Sequence, residues 1–279
     1  MGRKPLLAVS LAVVFAGAQI GLGAGPTAYV SDDLGENLYR VDLSTANATL
    51  VGHLGPVLMQ GLATSSSGQM FGTDIFGQLW SIDSSSGAGT FVANTGHGQI
   101  DALHFSGSAL LGADFSTGFL TIFQIDTTSG ATTNVVIGNT NLGAGRADAM
   151  ALADPNTLLL AIEDTPGRGF QSLWAVDLTS GAMSLRGVLG AAQQNPVEGL
   201  EFSGGTLYAA TVSGGLYTLN PNNASATQIG TMRDKNNFAL EPLDMTVPEP
   251  ASLALVVPAA ILLIRRRKSP ARGQRVKCD

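Results

Sequence analysis

The sequence predicts an all-β protein that folds as a β-propeller, most simply one with five blades. Three observations support this fold class. The composition is rich in glycine and poor in charge, one phrase recurs about every 42 residues, and a second phrase precedes most copies of the first. An open or larger ring is the alternative.

The composition favours strands and turns over helices. The chain has 279 residues, of which 44% are apolar and 13% charged, and 35 are glycine. The apolar share allows a sizeable core, whereas a helical bundle would need more glutamate and lysine on its surface.

The first recurring phrase reads Leu-Tyr/Trp-x-Val/Ile-Asp, then small polar residues, then a segment that ends in an apolar strand. Its copies begin at Leu38, Leu79, Phe123, Leu173 and Leu216. The residues that close the apolar part are separated by 41, 43, 51 and 43 positions: Asp42, Asp83, Asp126, Asp177 and Asn220. This phrase predicts the third and fourth strands of each blade.

The second phrase is an alternating strand, a Gly/Ser or Asp-Pro turn and another strand. It begins at Gln60, Asp101, Asp148 and Glu198. Together the two phrases give four short strands per repeat, the strand count of a propeller blade. The first repeat lacks this phrase, and residues 237–246 supply it, so we expect these C-terminal residues to complete the first blade. The propeller should then span residues 27–246.

The recurring aspartate has a structural interpretation. In Asp-x-Ser/Thr-Ser-Gly the carboxylate can accept the amide two residues on, while the glycine takes a positive φ in the hairpin. Calcium loops need several oxygen ligands at a spacing of two, which this turn does not offer.

The N-terminus predicts a secretory signal peptide. Arg3 and Lys4 precede an apolar run, residues 6–15, and small residues 16–18 offer a cleavage site for signal peptidase. We expect cleavage after Ala18, with Ala24 as the second choice.

The C-terminus carries three elements in order. Pro248, Glu249 and Pro250 precede a fourteen-residue apolar run, residues 251–264, which Pro258 interrupts. This run is shorter than the ~20 residues that span a bilayer. Four basic residues follow it and would remain on the cytoplasmic side: Arg265, Arg266, Arg267 and Lys268.

Residues 247–268 resemble the PEP-CTERM sorting signal of Gram-negative bacteria. The resemblance implies recognition by a membrane protease-transpeptidase, the exosortase, through a short apolar helix that anchors the protein transiently. It also implies a setting in extracellular polysaccharide and biofilm. The chain departs from the family in one respect, because a short basic tail, residues 269–279, follows the arginines.

Charge and cysteine content narrow the class of partner. Residues 25–246 contain six basic and nineteen acidic residues, a net charge of −13, and no cysteine. Such a body has neither a disulfide nor the charge to bind nucleic acid or anionic lipid. Cations, neutral sugars and basic proteins remain as partners.

The alignment of the second phrase predicts a ring of polar residues at one mouth of the central channel: Gln60, Asp101, Asp148, Glu198 and Glu241. Converging carboxylates raise one another's pKa unless a cation or backbone donors compensate. The ring is therefore either a site for a cation or polar ligand, with calcium the cofactor to consider, or a set of carboxylates that bond backbone amides and lock the blades. No other cofactor is expected.

A second acidic set follows the second strand of each repeat and should share that face, although turn formation explains it equally well: Asp32, Asp33, Asp74, Asp114, Glu163 and Asp164. The three histidines lack a metal-ligand spacing, and no catalytic motif occurs.

Two functions from different classes follow. The first is a non-catalytic surface or matrix protein that binds extracellular polysaccharide or surface proteins, or serves as a structural spacer. The second is a calcium-dependent hydrolase or lactonase that uses the acidic mouth. No catalytic residue is assigned.

Overall fold

The computed structural model describes residues 26–33, 36–55, 58–115, 118–142, 145–163, 171–189 and 195–248. The predicted signal peptide, residues 249 and 250 of the Pro-Glu-Pro motif, the apolar run and the basic cluster lie outside these ranges. The described ranges contain no α-helix, and so none that could cross a membrane.

The described residues form twenty strands in five antiparallel four-stranded sheets, as predicted for a five-bladed propeller. The strands are β1 (Thr27–Asp32), β2 (Asn37–Asp42), β3 (Ala48–His53), β4 (Met59–Thr64), β5 (Met70–Asp74), β6 (Gln78–Ile82), β7 (Gly89–Asn94), β8 (Ala102–Ser106), β9 (Ala109–Asp114), β10 (Phe119–Ile125), β11 (Thr132–Asn141), β12 (Arg146–Asp154), β13 (Thr157–Glu163), β14 (Gln171–Asp177), β15 (Met183–Val188), β16 (Val197–Ser203), β17 (Thr206–Thr211), β18 (Gly215–Leu219), β19 (Ala226–Thr231) and β20 (Pro242–Thr246).

The C-terminal strand completes the first blade, which confirms the predicted ring closure. Blade 1 has the strand order β20-β1-β2-β3, and blades 2 to 5 each use four consecutive strands from β4 onwards. The inner strands β4, β8, β12, β16 and β20 contact one another in a closed circle. All of them run in the same direction, from one mouth of the central channel to the other.

The core is divided among the five junctions between blades. Each junction has its own apolar cluster, such as Leu38, Leu54 and Met59 between blades 1 and 2, or Tyr39 and Tyr208 between blades 5 and 1. Because strand side chains alternate between the two faces of a sheet, every blade buries both faces. This burial explains the nearly unbroken apolar runs of the second strands, such as residues 158–162.

The turn between the third and fourth strands has the predicted hydrogen bond in every blade. An Oδ1 atom accepts the amide two residues on at 2.8 to 2.9 Å in all five turns, which begin at Asp42, Asp83, Asp126, Asp177 and Asn220. The positive φ falls on glycine in blades 2, 3 and 4, whereas Ala46 and Ala224 adopt it in blades 1 and 5.

These turns also fix the spacing of neighbouring blades. The tip of the blade 2 turn, Ser86 and Gly87, lies against the backbone of Gly52 in the fourth strand of blade 1. Gly187 meets Ala224, and Gly230 meets Ala46, in the same way. The fourth strand therefore needs a very small residue where the next blade's turn arrives.

Replacing Gly52 by alanine tests this contact. A Cβ atom at Gly52 would lie 1.8 Å from the carbonyl oxygen of Ser86, so blades 1 and 2 must separate. We expect Gly52→Ala to lower the free energy of unfolding by about 1 to 3 kcal/mol, the usual range for overpacking, in a urea titration. Gly98→Ala is the control, because nothing lies within 4 Å of its added Cβ. Equal stability of the two variants would show that the contact does not hold the blades.

Candidate functional site

The predicted ring position coincides with a β-bulge at the start of the inner strands. In blade 4, Ala147 pairs with Ile162 and Ala149 with Ala161, which leaves Asp148 unpaired. Gln60 and Glu198 are unpaired in the same way. A bulge re-aims the side chain of the extra residue, and here three bulges turn polar groups toward the same mouth. Asp101 lies directly before Ala102, the first paired residue of β8.

Three of the five predicted residues converge on one arginine. Arg146 Nε lies 2.7 Å from Asp101 Oδ2 and 2.7 Å from Asp148 Oδ1, and Arg146 Nη2 lies 3.6 Å from Glu198 Oε2. These residues come from the inner strands of blades 3, 4 and 5 or the position directly before them. We call Arg146, Asp101, Asp148 and Glu198 the mouth cluster.

Sequence reasoning missed the central member of this cluster. Arg146 is two residues before Asp148 on the same strand, and residues at that spacing share one face of a strand. It is also one of only six basic residues in the body. Those two signals together could have identified it.

Gln171 is a second missed residue and joins blades 4 and 5 beneath the cluster. Its amide donates to Asp148 Oδ2 at 2.5 Å and to the Val197 carbonyl at 3.1 Å, and its oxygen accepts the Val197 amide at 2.6 Å. Asp148 is therefore held between a guanidinium and a carboxamide.

The other two predicted residues lie apart from the mouth cluster. Gln60 accepts a short hydrogen bond from Gln99. Glu241 precedes β20, and the register there leaves Leu243 unpaired, since Pro242 pairs with Asp32 and Asp244 with Ser31. Leu243 is thus the structural counterpart of Gln60, Asp148 and Glu198, and the sequence alignment placed Glu241 two residues too early.

Burial dominates the electrostatics of the cluster. It raises the pKa of Asp148 well above its usual range, and nearby Glu198 adds to this while Arg146 opposes it. Burial also raises the pKa of Glu198 to about 7, with Arg146 opposing and Asp101 and Glu163 adding. Burial alone would lower the pKa of Arg146, but the three carboxylates raise it, so the guanidinium stays charged. Its side chain is 42% exposed, which places the cluster at the opening of the channel.

Arg146 therefore compensates part of the carboxylate charge from within the chain. The sequence left open whether a cation or backbone donors would compensate the converging carboxylates, and Arg146 is a cation supplied by the chain itself. Among the residues that the structure describes, no group of three histidine, cysteine or acidic side chains is arranged to hold a metal ion.

Further along the channel, two buried acidic groups cross between blades. His104 Nδ1 lies 3.3 Å from Glu201 Oε2, which joins blades 3 and 5. Asp244 Oδ2 accepts the Leu62 amide at 2.6 Å, and Oδ1 accepts the Met245 amide at 2.6 Å. Burial raises the pKa of Asp244 well above its usual range. Asp244 occupies the position held by Gly61, Ala102, Ala149 and Gly199 in the other blades.

The second acidic set serves several local roles. Asp74 accepts the amides of Phe76 and Gln78 at 2.9 Å and Trp80 Nε1 at 3.0 Å, so it forms the turn of blade 2. Asp114 lies 2.5 Å from His97, whose ring stacks on Phe123. Asp32 is buried, Asp33 is exposed and Glu163 is half-buried, whereas Asp164 lies outside the described residues.

Comparison with known proteins identifies the fold. No protein-family model matches the sequence, and neither does any curated protein. A chain from the crystal structure of a nidogen/laminin complex is similar, with a TM-score of 0.55 and 12% identity over 80% of this chain and 98% of that chain. The computationally designed Ika8 protein has a TM-score of 0.37 and 15% identity over 77% of this chain and 60% of its own. BamB from Moraxella catarrhalis has a TM-score of 0.37 and 21% identity over 73% and 57%. At these identities the first similarity shows the propeller fold alone, and the other two add nothing to it.

Replacing Arg146 by glutamine tests whether its positive charge stabilises the three carboxylates of the mouth cluster. Three buried carboxylates would lose their cation, and we expect the free energy of unfolding at pH 7.5 to fall by about 2 to 3 kcal/mol. This is less than the ~3–5 kcal/mol for breaking a fully buried pair, because Arg146 is half-exposed. The loss should shrink at pH 4.5, below the Glu198 pKa of about 7, where that carboxyl is neutral. Arg40→Gln, at an exposed position of β2, is the charge-matched control. An equal loss in both variants would contradict this role.

The raised pKa of Glu198 predicts a pH dependence with a defined sign. Its pKa in the folded protein, about 7, exceeds the ordinary value of 4.5, so the unfolded chain loses this proton first as the pH rises. The contribution of Glu198 is complete below pH 4.5 and is lost as the pH rises through 7. Urea titrations at pH 5 and pH 8 measure this effect. The free energy of unfolding should fall more from pH 5 to pH 8 in the wild type than in Glu198→Gln. The same loss in both proteins would refute the assignment.

Proposed function

We propose that this protein is a non-catalytic propeller, exported across the inner membrane and sorted by its C-terminal signal to the cell surface or extracellular matrix. It would bind extracellular polysaccharide or surface proteins, or act as a spacer between them. The observation that carries the proposed destination is the order of Pro-Glu-Pro, apolar run and basic cluster behind a signal-peptide sequence. Exosortase and signal peptidase are its processing partners.

The direction of β20 supports display on a membrane. All inner strands start at the mouth that holds Arg146, and β20 runs away from it and ends at Thr246. The sorting signal begins at Val247, directly after this strand. An anchor attached there would leave the propeller from the opposite face, so the mouth cluster would point away from the membrane and toward partners.

The mouth cluster favours the non-catalytic function over the hydrolase. A metal-dependent hydrolase would need its carboxylates free to coordinate a cation. Here the Arg146 guanidinium lies 2.7 Å from both Asp101 and Asp148, where such an ion would have to bind. We therefore do not propose the calcium-dependent hydrolase or lactonase.

Replacing Pro248, Glu249 and Pro250 together by alanine tests the sorting proposal. In a Gram-negative host that expresses an exosortase, we expect the wild-type protein to lose its C-terminal signal and to leave the inner membrane. The variant should stay in the inner membrane with its C-terminus uncut. Cell fractionation and intact-mass spectrometry measure both properties.

Pro221→Ala, in a turn of blade 5, is the control for a proline substitution outside the signal. Identical processing of the triple variant and wild type would refute recognition of the motif. N-terminal sequencing of the same samples locates the signal-peptidase cut after Ala18 or after Ala24.

A further inference from the structure

A hairpin at the junction of blades 5 and 1 forms one wall of a cavity. Residues 232–240 fold back on themselves, with the Leu240 amide donating to the Met232 carbonyl at 3.0 Å and the Asp234 amide to the Phe238 carbonyl at 2.8 Å. Asp234 Oδ1 accepts the amides of Asn236 and Phe238 at 2.9 and 2.8 Å. Arg233 pairs with Asn47 of blade 1. These bonds fix the hairpin against blade 1.

The cavity between this hairpin and blade 1 has a volume of about 220 Å³. A water molecule occupies about 30 Å³ in the liquid, so the cavity has room for a small polar group together with an aliphatic stem. It lies on the face where the inner strands start, beside the first residue of β20. Its lining combines carboxylates, an amide, a phenol and an exposed phenyl ring: Asp32, Asn37, Tyr39, Asp234, Phe238, Ala239 and Leu240.

Asp32 brings to this cavity a carboxylate oxygen that has no hydrogen-bond donor among the described residues. The residue is only 4% exposed, and its Oδ1 atom accepts the Glu241 amide at 2.7 Å. No described residue donates a hydrogen bond to its Oδ2 atom. Unlike Asp101 Oδ1 and Asp148 Oδ1, this oxygen is not sealed from solvent, so it can accept a hydrogen bond from a group in the cavity.

In blade 2, the carboxylate at the position of Asp32 receives a hydrogen bond from within the blade. Asp74 is the counterpart of Asp32, and Trp80 is the counterpart of Tyr39. Trp80 Nε1 donates to Asp74 Oδ2 at 3.0 Å, so blade 2 supplies the donor from its own third strand. In blade 1 the Tyr39 hydroxyl instead bonds the side chain of Asn37, and Asp32 Oδ2 is left to the cavity.

The surrounding charges favour a cationic occupant. Burial raises the pKa of Asp32, the Glu241 amide opposes this, and the carboxylates of Glu241, Asp33 and Asp234 add to it. Among the described cations, none forms an ion pair with Asp32. The described residues also lack an acidic or histidine trio arranged for a metal ion. Phe238, whose exposed fraction is 68%, offers an apolar face beside the carboxylates.

We propose that this cavity binds a primary ammonium group on an aliphatic stem. The ammonium would donate to Asp32 Oδ2 and to Asn37 Oδ1, and the stem would lie on the Phe238 ring. An ammonium carries three donors and no acceptor, which matches a lining dominated by acceptors. Cations also interact favourably with the face of an aromatic ring. The group could belong to a free diamine or to a lysine side chain of a partner protein.

The test is a titration of the purified full-length protein with cadaverine, followed by saturation-transfer NMR. Nα-acetyl-lysine amide is the second ligand, and 1,5-pentanediol is the neutral analogue of cadaverine. We expect both amines to bind and the diol to bind at least tenfold more weakly. Tighter binding of the lysine derivative identifies a protein partner as the source, and tighter binding of cadaverine a free diamine.

Two substitutions and a matched control test whether the amines bind in this cavity. Asp32→Asn keeps the acceptor for the Glu241 amide but removes the charge, and we expect a tenfold or greater loss of amine affinity. Phe238→Ala, at an exposed position that does not threaten folding, should weaken binding about two- to fivefold. Phe76→Ala removes a ring of similar exposure, 65%, outside the cavity and should change nothing.

Absence of amine binding, equal binding of the diol, or affinity unchanged by Phe238→Ala would overturn the proposal. The site is separate from the mouth cluster and from the sorting signal. Its failure would therefore leave the proposed export and display of the propeller untouched.

Discussion

Backbone pairing between β20 and β1 joins the two ends of the propeller, since Tyr29 pairs with Thr246 and Val30 with Met245. Without this pairing blade 1 would lack its inner strand, and the edge of β1 would be exposed to other chains. Met245 also belongs to the apolar cluster between blades 5 and 1. The contact spans nearly the whole body, so its formation opposes a large loop-closure entropy and depends on the other blades being in place.

Closure of the ring brings acidic side chains together at one opening of the channel. Because the inner strands are parallel around the ring, their first residues meet at one opening, and bulges turn Asp148 and Glu198 into it. Carboxylates so close together cannot all stay ionised without a cation. Arg146 provides one positive charge from the same strand as Asp148, and the raised pKa values of Asp148 and Glu198 favour their neutral forms. The cluster thus ties blades 3, 4 and 5 together near the channel opening.

Much of the fold could be predicted because the repeat makes local rules visible five times. The turn that begins at Asp83 or Asp177 identifies the hairpin between the third and fourth strands, and the absence of the second phrase from the first repeat identifies the closing strand. The site was harder to predict. β20 has the same bulge as β4, β12 and β16, but Leu243 occupies it and Asp244 replaces the small residue that follows it in the other blades, so the alignment matched Glu241 instead.

Arg146 and the cavity at Asp32 were missed for a related reason. The role of Arg146 depends on neighbours 45 and 52 residues away, which only the closed ring brings within reach. The cavity depends on the hairpin of residues 232–240 and on the absence from blade 1 of the tryptophan that serves Asp74 in blade 2. Both features occur in one repeat only. An alignment of the repeats identifies what they share and does not reveal such differences.

The central claim is that Arg146, and not a bound metal, is the cation that partly compensates the carboxylates at the channel opening. The most direct measurement is the melting temperature of the full-length protein after treatment with a chelator, with and without millimolar calcium. An ion that binds only the folded state must raise the melting temperature. The account predicts no change for wild type. A clear rise that disappears in the Asp101→Asn, Asp148→Asn double variant would contradict it.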